Sequence, residues 1–253
     1  MGNLVLIGTE STDPDGTRRL NSLLSEGNPE VVVLGEAKEQ KRMSRESSNA
    51  LTLKSLEAAE LKLTGQQKEG ALFYINFSFD SLGYERRVCE EYAKRTGKRL
   101  EYAGVPTDVA TQIEYEAWAF AQMAKSPGFA ESFNLLTGSP DSFTLLTSSQ
   151  RAASRASYDN WMKVGIQTEG YCSRKGQAIL RASGQHRLAD YYEAGKFPET
   201  LDSIVSTLRK ESIKGSRVIG VINLSYLFGV KLRLNDLNPA VETLLEVDKA
   251  GNN

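Results

Sequence analysis

At 253 residues, with 40% apolar and 25% charged side chains, the chain is long enough for a substantial core and too ordinary in composition for extended disorder. Its 31 basic and 32 acidic residues leave a net charge of -1, so no global positive field gathers phosphate backbones and no nucleic-acid partner is expected. Two cysteines, Cys89 and Cys172, are too few for a secreted disulfide framework and read as free or buried thiols. No apolar run approaches the roughly 18 residues of a membrane span, and the N-terminus lacks a signal-peptide pattern, so a cytoplasmic location is expected.

Taken in chain order, "LVLIG" (Leu4 to Gly8) and "EVVVLG" (Glu30 to Gly35) are short, continuously apolar and rich in branched residues, as strands covered on both faces of a parallel sheet are. Between them Leu20, Leu23 and Leu24 share a helical face, and Gly27 with Pro29 closes the helix, which makes a βαβ unit with the usual right-handed crossover. The run "KEQKRMSRES" (Lys38 to Ser47) mixes its basic residues with Glu39 and Glu46 and reads as a solvated helix face or loop. "ALFYINFSF" (Ala71 to Phe79) reads as a third strand or an irregular apolar segment. Tyr84, Val88 and Tyr92 then recur at helical spacing, with Gly97 as C-cap, before the strand "KRLEYAGVP".

Asp108 is placed to cap a helix whose face carries Ile113, Ala117, Phe120, Ala121 and Ala124. Residues 126–215 show no clear strand pattern and read as a helical insertion or cap, with Leu201, Ile204, Val205 and Leu208 marking one helix. The sheet resumes at "RVIGVIN" (Arg217 to Asn223). "GVKLRLN" is expected to be another strand, "NPAVETLLEV" a last short helix, and "DKAGNN" a frayed tail. The expected fold class is α/β, with a mainly parallel central sheet flanked by helices. Its core domain spans 1–125 and 216–253, and the helical insertion spans 126–215.

In open parallel sheets ligands gather beyond the C-terminal strand ends, where loops diverge and helix N-termini point inward. Three segments occupy that edge: "GTESTDPDG", "GEAKEQ" and "NLSYLFG". With "GYERRVCEEYAKRTGKRLEYAGVPTD", they resemble the TraB family, part of a wider group with Tiki peptidases, erythromycin esterases and an iron-regulated haem-binding lipoprotein. The resemblance covers the first half of the chain and the segment after Arg217, and rests on motif order. It implies a metal-hydrolase ancestry in which the first strand ends in Gly-x-x-His, the second carries a glutamate, and the last ends in another Gly-x-x-His.

Here the pattern is altered. Gly8 stands in the first motif but Ser11 replaces its histidine, Glu36 keeps the glutamate, and Asn223 and Tyr226 occupy the glycine and histidine positions of the last. Zinc-type hydrolysis needs neutral imidazole donors and an open position for water, so losing both histidines removes the usual ligands. The sole histidine, His186, is remote from these motifs and reads as a surface or structural residue.

The remaining chemistry is carboxylate. Glu10, Asp13, Asp15 and Glu36, if they converge, form an oxygen site for a hard divalent cation, with Glu10, Asp13 and Glu36 as its ligands and Glu36 and Glu10 as the catalytic pair. Against this, Asp13 to Gly16 has the composition of a turn and helix start, with Asp15 placed to cap, and Glu10 is free to face water. An acid directly after a buried strand must be solvated, paired or used, and the alternative for Glu36 is an ion pair to an arginine. Glu85 and Arg86 either serve that pairing or form an exposed first helical turn. Ser11, Glu85, Arg86, Asn223 and Tyr226 are the other candidate ligand contacts, although an aromatic such as Tyr226 beside "LFG" commonly packs. Two functions follow: a cleft with lost hydrolase chemistry that binds a peptide, small molecule or protein partner, or a metal-dependent peptidase- or esterase-like hydrolase. The insertion either closes over that cleft or mediates assembly, a homo-oligomer included.

Overall fold

The computed structural model describes residues 3–40 and 44–250. The chain runs β1 (Leu4–Thr9), α1 (Gly16–Gly27), β2 (Val31–Leu34), α2 (Arg45–Ala58), α3 (Gly65–Ser81), α4 (Tyr84–Thr96), β3 (Arg99–Tyr102), α5 (Val109–Met123) and α6 (Pro127–Ser132). It continues through α7 (Pro140–Asp159), α8 (Trp161–Cys172), α9 (Arg174–Ala182), α10 (His186–Ala194), α11 (Phe197–Ile213), β4 (Val218–Asn223), α12 (Leu224–Arg233), β5 (Ala240–Thr243) and α13 (Glu246–Ala250). The five strands form one sheet in the order β3-β2-β4-β1-β5, and every pairing is parallel. This is the expected α/β architecture.

The reason lies in the strands. All of β2 and residues 218–222 of β4 are buried, so the continuous apolar runs meet side chains on both faces. The central strand β4 pairs with β1 from Leu4↔Val218 to Thr9↔Asn223 and with β2 from Val31↔Val218 to Leu34↔Val221. That register brings the ends of β1, β2 and β4 to one edge. Helices α4, α11 and α12 pack on the sheet, their buried residues including Val88, Leu208, Leu224 and Leu227.

Three segments differ from the sequence reading. Residues 71–79 lie within α3 and not in a strand. Thr64 and Gln67 form a reciprocal cap, the Gln67 backbone amide donating to the Thr64 hydroxyl (3.2 Å) and the Thr64 backbone amide to the Gln67 side-chain Oε1 (2.9 Å), which starts a helix before the apolar run. Those apolar residues fill a second core, in which Tyr74 stacks on Phe120 with ring centres 5.7 Å apart. A Cβ on Gly70 would lie 2.0 Å from the Phe133 carbonyl oxygen, so only glycine allows this approach.

The expected strand "GVKLRLN" instead continues α12. Asn223 caps that helix by accepting from the Ser225 amide (3.0 Å), and Leu224, Leu227, Val230 and Leu234 recur at helical spacing on its buried face. The short terminal helix expected around 238–247 begins only at Glu246, as α13; before it, residues 240–243 form β5, which pairs with the free edge of β1 and satisfies its backbone groups.

The remaining local expectations hold, with adjustments at the caps. Asp108 accepts from the Thr111 amide (3.3 Å), and Gly97 closes α4 in the left-handed conformation. Helix α1 ends on Asn28, with φ of 37°, where Gly27 was expected to close it. Cys89 and Cys172 are buried free thiols. In the mixed-charge run Ser44 caps α2, and residues 41–43 lie outside the described residues. The tail expected to fray is instead ordered as far as 250, where Asp248 sits in α13 and pairs with Arg18 and Arg19, while 251–253 lie outside the described residues. No helix among the described residues is long and apolar enough to cross a membrane.

The segment 126–215 consists of α6 to α11 and their connections. The second core draws on both sides of residue 126, since Leu56 of α2 and Phe120 of α5 pack with Phe133 and Leu146.

A buried ion pair joins this helical layer to the sheet. The Asp13 side chain is inaccessible and receives the Arg19 guanidinium on both oxygens (3.0 and 2.9 Å), the Tyr158 hydroxyl of α7 (3.0 Å) and the Asp15 amide (2.9 Å). Asp13→Ala takes the acceptor from the buried Tyr158 hydroxyl and one of the three acids around Arg19, which keeps Asp15 and Asp248, and is expected to lower stability by about 2 kcal/mol in urea unfolding followed by tryptophan fluorescence.

Candidate functional site

A cavity of about 420 Å³ opens at the C-terminal edge of the sheet. Ser11 enters it from the loop after β1, Glu36 from the loop after β2, and Asn223, Ser225 and Tyr226 from the start of α12. The helical layer supplies another wall through Tyr191, Phe197 and Thr200, and α5 adds Val109 and Ile113. The loops after β2 and β3 touch closely. A Cβ on Gly104 would lie 2.4 Å from the Ala37 nitrogen, and the Gly104 amide donates to the Glu36 carbonyl (2.9 Å).

Glu36 is paired. The Arg86 Nε donates to its Oε2 at 3.0 Å, and the same guanidinium donates to the carbonyls of Ala37 and Lys38 while lying over the Tyr102 ring. Arg86 thus clamps the loop after β2 onto α4, and it is Arg86, not Glu85, that partners Glu36. Part of Glu36 still faces solvent, its side chain being 32% exposed.

Glu85 does something else. It lies in the first turn of α4, yet is only 4% exposed, which overturns the expectation of an exposed turn. Its Oε1 accepts from the Ser11 hydroxyl at 3.0 Å, and its Oε2 has no hydrogen-bond partner among the described residues. Asn223 completes a chain. Its Oδ1 accepts from the amide and hydroxyl of Ser225 (3.0 and 2.7 Å), which leaves its Nδ2 to donate to the Ser11 oxygen at 3.0 Å. Ser225, Asn223, Ser11 and Glu85 therefore form one directional relay ending on a buried carboxylate.

Burial, helped by the neighbouring Glu36 charge, pushes the Glu85 carboxyl up from its ordinary 4.5 to about 7. Burial likewise raises Glu10, which is no simple solvent-facing residue: its amide donates to the Tyr158 oxygen (3.1 Å) and its carbonyl accepts from Tyr84 (3.1 Å). Tyr226 packs as anticipated, stacked on Phe197 with ring centres 5.1 Å apart, and burial keeps its phenol protonated.

The acidic loop does not behave as one cation site. Asp13 is sealed beneath Arg19 and Tyr158, while Asp15 sits at the N-cap position but makes no side-chain cap and instead takes a bidentate pair from Arg151 of α7 (2.8 and 3.0 Å). Among the described residues no three His, Cys, Asp or Glu side chains stand where they could share a metal ion, so Glu10, Asp13 and Glu36 do not converge. His186 is exposed at the start of α10, as expected of a surface residue.

The structure thus brings Ser11, Glu36, Glu85, Arg86, Asn223 and Tyr226 together and leaves Asp13 aside. Sequence reasoning missed Arg19, Tyr158 and the aromatic wall of Tyr191 and Phe197. Arg19, at i+4 from Asp15 on the opening turn of a helix, offered a local signal. The aromatic residues offered none, because only the return of α10 and α11 to the sheet edge places them.

A carboxyl raised on folding contributes stability that is fully present below 4.5 and is lost as pH rises through about 7. Glu85→Gln, which mimics the protonated form, is expected to match the parent near about pH 4 and to exceed it by on the order of 3 kcal/mol near about pH 8, read from urea midpoints at the two pH values. Comparison of the chain with protein-family models, curated proteins and solved structures gave no match.

Proposed function

We propose that this is a TraB-like protein in which the metal-hydrolase histidines have been replaced and the strand-end cavity retained to bind a small molecule or short peptide. The observation that carries the reading is the meeting, around one cavity of about 420 Å³, of all four segments that bear the family resemblance, through Ser11, Glu36, Gly83 and Tyr226. The cavity is of the size and mixed lining that small ligands use, with apolar walls at Val109, Ile113 and Phe197 and a few fixed polar groups. Two buried, unpaired thiols fit a reducing compartment, and the cytoplasm is the location we assign.

The paired state of Glu36 and the sealed state of Asp13 favour this binding role over a carboxylate metallohydrolase. Magnesium, calcium, manganese and zinc, added in turn, are expected to leave the thermal midpoint of the parent and of Glu36→Ala unchanged. A rise in the parent alone would restore the hydrolase reading.

The test of the cavity is a thermal-unfolding panel of blocked dipeptides and short-chain esters. A ligand present at about a hundredfold its Kd is expected to stabilise the parent by about 2.7 kcal/mol. Val109→Trp, which fills the cavity from its half-buried rim, is expected to abolish that shift. Equal shifts in both proteins would place binding elsewhere and overturn the reading.

A further inference from the structure

The relay at the cavity floor has the parts of a reaction centre. Ser11 lines the cavity, its hydroxyl donates to Glu85, and it is oriented by a third group, Asn223, itself fixed by Ser225. The 3.0 Å separation is within the range over which a base takes a proton from a nucleophile. Asn223 is also the cap of α12, so the positive end of a ten-residue helix begins beside Ser11, where an acyl oxygen would gain charge.

We propose that Ser11 is a nucleophile and Glu85 its general base, so that the cavity carries metal-independent acyl transfer on small carboxylic esters. The inference rests on the reading of the cavity as a ligand site and adds a chemistry to it. In the first step the Ser11 oxygen bonds to the acyl carbon, its proton passes to Glu85, and the alcohol leaves with that proton, giving an acyl-serine. In the second, water gives a proton to Glu85 and attacks the acyl carbon. The acid departs and Ser11 recovers its proton, so ester and water become acid and alcohol. Glu36, held by Arg86, touches neither atom and acts by keeping negative charge near Glu85. With its carboxyl near 7, Glu85 is ionised enough to accept a proton and basic enough to hold it.

The test uses the full chain and an alkyl fluorophosphonate, in which the Ser11 oxygen bonds to phosphorus, fluoride leaves, and the proton goes to Glu85. Intact-mass and peptide-mapping spectrometry are expected to find a single adduct on Ser11, forming faster as pH rises through about 7. Ser11→Ala is expected to carry no adduct, and Glu85→Gln to react about 100-fold more slowly. Absence of an adduct on Ser11 in the folded parent, a flat pH profile across that range, or Glu85→Gln reacting at the parent rate would each overturn the proposal. Should Glu85→Gln fail to fold, the adduct position and pH profile of the parent decide the matter alone. A parent that binds ligands in the thermal panel but leaves Ser11 unmodified removes the dyad and spares the binding site. One that neither binds nor reacts removes both.

Discussion

The buried carboxylate of Asp13 holds the strand-end edge in place. It sits on the loop between β1 and α1 and satisfies a guanidinium from α1, a hydroxyl from α7 and an amide of its own loop. A buried charge is tolerated only when its partners are complete, and here two come from the adjoining turn and helix and the third, Tyr158, from 145 residues away. The loop is consequently fixed at its middle. Ser11, two residues earlier, is held toward the cavity while Asp13 points away from it, which is why two neighbouring polar residues have opposite fates.

The same economy governs Glu36 and Glu85. These two carboxylates lie near each other at the edge of the sheet, and their environments separate them. Arg86 solvates Glu36 and gathers the loop behind it, whereas Glu85 is enclosed away from any cation, its Oε1 accepting from the Ser11 hydroxyl. The aromatic wall completes the enclosure, since Phe197 and Tyr226 stack across the boundary between the helical layer and the sheet.

Much of the sheet was legible because β-branched apolar runs of four to six residues between turn signals have few other uses. The misread segments share a cause. In α3 and α12 the apolar residues are too continuous for their period to declare itself, and the decision rests with the caps Thr64 and Asn223, which bond within three residues of themselves. In β5 a four-residue alternation was too short to outweigh the neighbouring leucines, and the open edge of β1 decided it.

The sequence by itself determined the parallel sheet, the three segments at its ligand edge, and the chemical inventory there: a serine, acids and an arginine without the expected imidazoles. Tertiary structure alone decided which of those groups work together. Hydrogen bonding and burial act between residues 74 to 212 positions apart, as from Ser11 to Glu85 and Asn223, and these long-range contacts separate the acid that is sealed, the acid that is paired and the acid that is left with an unfilled oxygen.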